Sequence, residues 1–257
     1  MANEKLKIEI IKDKFPDFIN KITALTKIKD CVKLKITQDE IMMYSLQGET
    51  SILAFQNYLI KTKDYFIIDE FDFSIDFILL SPKKFVKSAS FYNVTDDKNM
   101  KMTITYKDGS DDDIKVGRLL TITDGKLKLN FVTGDYRQIK DLTKGDIENK
   151  MNPEDADFNF TMSDEQFKEV KKLTALNKAE TISIRVKKGK LEFFDKRWST
   201  YICDLPTVED SVWSFTNKYL KSIAASDEIK IHMFDQFLLF KEDNIALMIG
   251  LELSELK

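Results

Sequence analysis

The sequence predicts an α+β protein of two similar domains, each built from two βαβββ units, with helices on one face of antiparallel sheets. Three observations predict it. Runs of several short strands, not single strands, separate the helices, which is the pattern of antiparallel sheets covered by helices. The order strand, helix, strands recurs four times along the 257 residues. A polar stretch without periodicity near the middle of the chain divides the four units two and two.

Taken in order, residues 4–11 alternate as a strand, and Pro16 suits the first turn of a helix that buries Phe18, Ile19, Ile22 and Leu25. Short strands follow at 32–37, 41–46, 51–60 and 72–79. Ser81 and Pro82 read as an N-cap and first helical position, with Phe85, Val86 and Ala89 facing inward. Strands then run at 100–107, 113–116, 119–123 and 126–132, the last two joined by the Asp124-Gly125 turn. Residues 136–156 read as an irregular connector between domains at 1–135 and 157–257.

After the connector the order repeats. A strand at 158–162 leads into the clearest helix of the chain, 163–178, where Ser163 and Gln166 form a capping box. Asp164 and Glu165 occupy its positive end, and Phe167, Val170, Leu173 and Thr174 share a face. Strands at 181–186, 191–194, 199–205 and 211–215 precede a fourth helix, 216–225, with Tyr219, Leu220 and Ile223 inward. Strands at 228–234, 236–241 and 245–253 close the chain.

Composition excludes several classes. A hydrophobic fraction of 43% with 19 Phe supplies real cores, while 8 Gly and 4 Pro argue against a glycine-rich cofactor fold and against disorder. The net charge of −3 excludes a protein basic all over, but not a basic patch on an acidic body. Cys31 and Cys203 lack metal-ligand spacing and read as reduced thiols of an intracellular protein. No apolar run is long enough to span a bilayer, so no membrane is expected.

Catalytic chemistry is scarce. His232 is the sole histidine and sits in an alternating strand, and Asp111, Asp112 and Asp113 lie in a turn. No phosphate loop, nucleophile elbow or metal-ligand motif occurs, so no catalytic residue, metal or cofactor is assigned. What recurs is lysine on the outward side of each helix. The set is Lys21 and Lys27; Lys83, Lys84 and Lys87; Lys168, Lys171, Lys172 and Lys178; Lys218 and Lys221. One such helix is an ordinary solvated face. Four in one acidic chain suggest a surface for a polyanion bound through its phosphates, without base readout.

In layout the chain resembles the sliding clamps of replicative DNA polymerases, notably proliferating cell nuclear antigen and the T4-like phage clamp. The resemblance rests on residues 38–55 (QDEIMMYSLQGETSILAF), 71–90 (FDFSIDFILLSPKKFVKSAS), 173–194 (LTALNKAETISIRVKKGKLEFF), 214–234 (SFTNKYLKSIAASDEIKIHMF) and the closing IALMIGLELSELK. It implies the DNA-clamp, or processivity, fold. It also implies a non-enzymatic homotrimeric ring around double-stranded DNA, a tethered DNA polymerase and an ATP-dependent clamp loader as partners, and a location in cytoplasm or nucleoid (host cytoplasm for a viral clamp, the preferred version). Partner peptides would dock near the connector, which by position points to Leu46, Leu53, Ile139, Leu142, Ile147, Leu251 and Leu253. Ring closure would pair the strand at 126–132 with that at 199–205 of a neighbour. Two alternatives stand beside this reading: a monomeric clamp-fold viral processivity factor that closes no ring, and a metal-dependent nuclease with cryptic carboxylates.

Overall fold

The computed structural model describes residues 4–48, 54–92, 99–109, 113–178, 180–222, 228–242 and 245–253. The chain divides into two compact units, Met1–Leu46 with Gln56–Leu142 and Gln47–Phe55 with Thr143–Lys257.

In the first unit, β1 (Glu4–Ile10) leads through a 3-10 turn into α1 (Phe15–Leu25), followed by β2 (Val32–Ile36), β3 (Glu40–Gln47) and β4 (Ala54–Lys61). A four-residue helix, α2 (Thr62–Tyr65), and the short β5 (Phe66–Ile68) come next. Then β6 (Ser74–Leu79), α3 (Pro82–Ala89), β7 (Met100–Asp108), β8 (Ile114–Thr123) and β9 (Lys128–Gly134) complete the second βαβββ run. The strands order as β4-β3-β2-β6-β9-β8-β7-β1-β5; the pairings from β3 to β5 along this order are antiparallel, with an additional short parallel β6–β8 pairing.

Both long helices lie on this sheet and on each other. From α1, Phe15, Phe18, Ile22 and Leu25 are buried, with Phe18 edge-on to Phe66 at 5.6 Å. From α3, Phe85 meets Phe131 of β9 at 5.0 Å. Burying a Phe of this kind stabilises by roughly 1.5–3 kcal/mol relative to leaving it exposed. At Gly117 of β8 a Cβ would stand 3.0 Å from the Phe77 side chain, so any larger residue there would have to push Phe77 aside by a few tenths of an ångström.

The second unit opens with α4 (Lys144–Lys150), then β10 (Phe158–Ser163) and α5 (Asp164–Leu176). Next are β11 (Thr181–Lys187), β12 (Lys190–Asp195), β13 (Trp198–Asp204) and β14 (Ser211–Thr216), and then a 3-10 helix, Asn217–Ser222. The last strands are β15 (Glu228–Met233), β16 (Phe237–Glu242), β17 (Ile245–Gly250) and β18 (Glu252–Leu253). They form a run β10-β15-β16-β17 and a five-stranded sheet β13-β12-β11-β14-β18. The capping box of α5 is present in both directions, and Phe167, Val170 and Thr174 are buried beneath the helix. Gln166 also donates to the Ile202 carbonyl at 3.0 Å, tying the first turn to β13.

Four expectations need correction. The fourth helix is a 3-10 helix at Asn217–Ser222, because β14 continues through Thr216 by pairing with Thr181; residues 223–225 lie outside the described set. The connector is not irregular throughout. It holds 3-10 turns at Tyr136–Gln138 and Pro153–Asp155 and the helix α4, whose Thr143–Asp146 capping box was legible as T-x-x-D. Ser81 makes no side-chain cap; its carbonyl alone takes the Phe85 N–H. The strands read at 113–116 and 119–123 are one strand, β8, bulged at Arg118 opposite Thr105 and Tyr106.

Candidate nucleic-acid interface and connector

The helices sort the lysines by what each side chain touches. On α1, Lys21 is not on an open face. Its ammonium pairs with Asp17 at 2.8 Å and lies over the rings of Tyr58 and Tyr65, leaving the side chain 13% exposed. Burial opposes charge on Asp17, but hydrogen bonds from Lys21 and Tyr65 outweigh it and hold the carboxyl below its usual range. An i,i+4 Asp–Lys pair explains this placement without any ligand. Lys27 is exposed in the turn after α1.

On α3, Lys83, Lys84 and Lys87 are all exposed. Lys83 approaches Asp30 only at 3.7 Å. Lys83 and Lys84 occupy the first turn, which contains no acid. A cation at that positive end is unfavourable by about 0.3–1 kcal/mol, so helix stability does not account for them. On α5, Lys168 is exposed and paired with Asp164 one turn earlier, and Lys172 is exposed. Lys171 departs from the expected outward position. It is half-buried, its ammonium 4.1 Å from the centre of the Phe167 ring. Lys178 lies beyond the helix in a left-handed conformation, φ 49°. Lys218 is exposed with its ammonium over the Tyr219 ring, while the Lys221 side chain lies outside the described set.

The residues assigned to peptide docking are mostly core. Leu46, Ile139 and Leu142 in the first unit and Ile147 in the second are at most 8% exposed. Leu251 is half-buried, and its N–H donates to the Gln236 carbonyl. Leu53 and the Leu253 side chain lie outside the described residues. In the first unit the connector is fastened by residues the sequence reading did not single out. Lys33 of β2 donates to Asp141 at 2.8 Å, and the Tyr44 hydroxyl donates to the Lys140 carbonyl at 3.0 Å. In the second unit Lys241 donates to the Met151 carbonyl at 3.2 Å, and His232 hydrogen-bonds the Pro153 carbonyl. His232 is buried, and burial with nearby Lys230 and Lys241 pushes its pKa down. Cys31 and Cys203 are free thiols, both pushed up by burial.

Two strand edges carry exposed apolar side chains. β13 ends the five-stranded sheet, with Tyr201 49% exposed. β9 pairs with β8 along its length but with β6 only at Thr133 and Gly134, and Val132 is 74% exposed. Among the described residues no cluster of His, Cys, Asp or Glu is placed to hold a metal ion, and no helix is long and apolar enough to cross a membrane.

No protein-family model matches the sequence, and no curated protein matches it. Solved structures do match. The DNA polymerase III beta chain of Streptococcus pneumoniae aligns at 14% identity and TM-score 0.63, over 98% of this chain and 66% of its own. The Helicobacter pylori beta clamp, solved bound to a DNA ligase peptide, aligns at 15% and 0.67, over 99% and 67%. PCNA of Thermococcus kodakaraensis aligns at 13% and 0.61, over 96% of this chain and 100% of its own. The chain thus spans about two thirds of the bacterial beta chains and the full length of the archaeal PCNA. The four βαβββ runs in two units are the DNA sliding-clamp fold.

Proposed function

We propose that this protein is a sliding clamp, a non-enzymatic processivity factor that encircles duplex DNA and tethers a DNA polymerase. The observation that carries the reading is the exposed lysine on helices whose other side is buried in their own unit, above all Lys83 and Lys84 at a helix end that disfavours cations. Lysine on a flexible stem attracts phosphate without reading sequence, which suits a protein that must hold DNA and still slide. Lys21, held by Asp17, and Lys171, packed on the Phe167 ring, support the reading less than the lysines of α3 do.

Three copies close the ring in this reading. The open edge of β13 meets the open edge of β9 in the next copy, covering Tyr201 and Val132, and a head-to-tail contact of that kind closes when its rotation divides a full turn. The polymerase attaches through a short peptide at the connector, and loading is done by a separate ATP-driven machine. The test is topological. Protein loaded on nicked circular DNA should survive gel filtration at high salt and fall off once the circle is cut. Equal retention on circular and linear DNA would favour the monomeric binder. Magnesium-dependent cleavage that vanishes on changing one carboxylate would favour the nuclease.

A further inference from the structure

Among the described residues Lys33 is the one lysine with a fully buried side chain. By register it shares a sheet face with Lys35, Met42, Tyr44 and Asp76, since Lys33 pairs with Tyr44 while Lys35 pairs with Met42 and Asp76. Residues 136–142 cover this face. The Lys33 ammonium is 2.8 Å from Asp141 and 5.2 Å from the centre of the Tyr136 ring. Lys35 reaches the same carboxylate at 3.2 Å. The Tyr44 hydroxyl, already donating to Lys140, accepts the Leu142 N–H at 3.3 Å. Asp76 lies on the floor of the site, accepting from Ser74 at 2.6 Å, with Lys35 at 3.7 Å.

A buried ion pair is a poor adhesive, because desolvation offsets most of its attraction, and an apolar pair of similar size commonly holds as well or better. Its difference from an apolar contact lies in the open state. Lifting residues 136–142 returns both Lys33 and Asp141 to water, which solvates them, whereas lifting an apolar pair exposes greasy surface. Asp141 is already 45% exposed, so salt and water reach the outer half of the pair. We propose that Lys33 and Asp141 form a releasable latch on the first half of the connector. Opening it uncovers Ile139 and Leu142, each 5% exposed when closed. All members belong to the first unit, so the latch stands or falls independently of ring closure.

The test is hydrogen exchange read by mass spectrometry on the full chain, following peptides across 136–143, with α1 and α3 as internal controls. Asp141→Asn should speed exchange in 136–143 by about tenfold or more and leave the controls unchanged. Lys33→Met with Asp141→Leu should slow it below wild type. Added salt should speed wild type and not the double variant. Exchange in Asp141→Asn within twofold of wild type, a double variant as fast as the single, or an equal rise in the controls would overturn the latch. Should the double variant not fold, Asp141→Asn and the salt comparison decide alone.

Discussion

Changing Lys84, Lys87 and Lys172 together to Gln separates DNA contact from folding. All three side chains are exposed, on α3 and α5, and the paired Lys21 and ring-packed Lys171 are left intact. Each phosphate contact contributes about 0.9 to the slope of log affinity against log salt, so loss of three lowers the slope by about 2.7 for each copy whose helices touch the duplex. Near physiological salt the same contacts account for roughly a 100-fold change in affinity. Stability should hold within a few tenths of a kcal/mol, because relieving the positive end of α3 of Lys84 is offset by removing Lys87 from its negative end. The assay is fluorescence anisotropy of a labelled duplex across a salt series, beside a control triple, Lys190, Lys196 and Lys230 to Gln, all exposed outside the helices. A slope equal to wild type, or one that falls equally in both triples, would refute the assignment of the helices as the DNA surface.

Three further outcomes follow from the geometry. Ser163→Ala removes the acceptor for the Gln166 N–H and should cost about 1 kcal/mol in urea unfolding, as caps of this kind do. His232 has a folded pKa below its ordinary value of 6.5, so the unfolded chain binds more protons below that pH. Stability should therefore fall as pH drops through about 6.5 toward the folded pKa, and His232→Gln should flatten that slope in thermal melts at pH 7 and pH 5. Val132→Asp places a charge on a side chain 74% exposed in the single chain. It should leave the chain's own stability within about 0.5 kcal/mol and separate the copies, as read by sedimentation.

The four βαβββ runs were legible because alternation and helical spacing are strong in strands such as β7 and in a helix such as α5, whose capping box could be read letter by letter. Elements too short to show a period were not legible. The four residues of α2 and three of β5 fall in this class, as do the two turns of 3-10 helix that replaced the fourth helix. The lysine set was only half legible. Spacing places a side chain on a face, but whether it stays there depends on neighbours such as Asp17, Tyr65 and Phe167. The Lys33–Asp141 contact spans 108 positions, and Lys33 in an alternating strand reads as an outward lysine until the connector is seen lying across it.

The central claim is that copies of this chain close a ring, and the mass of the assembly tests it most directly. Sedimentation equilibrium or native mass spectrometry at micromolar concentration should give three times the 29.9 kDa chain mass. In Val132→Asp the same measurement should give one chain. A wild-type protein at the single-chain mass under those conditions would contradict the ring.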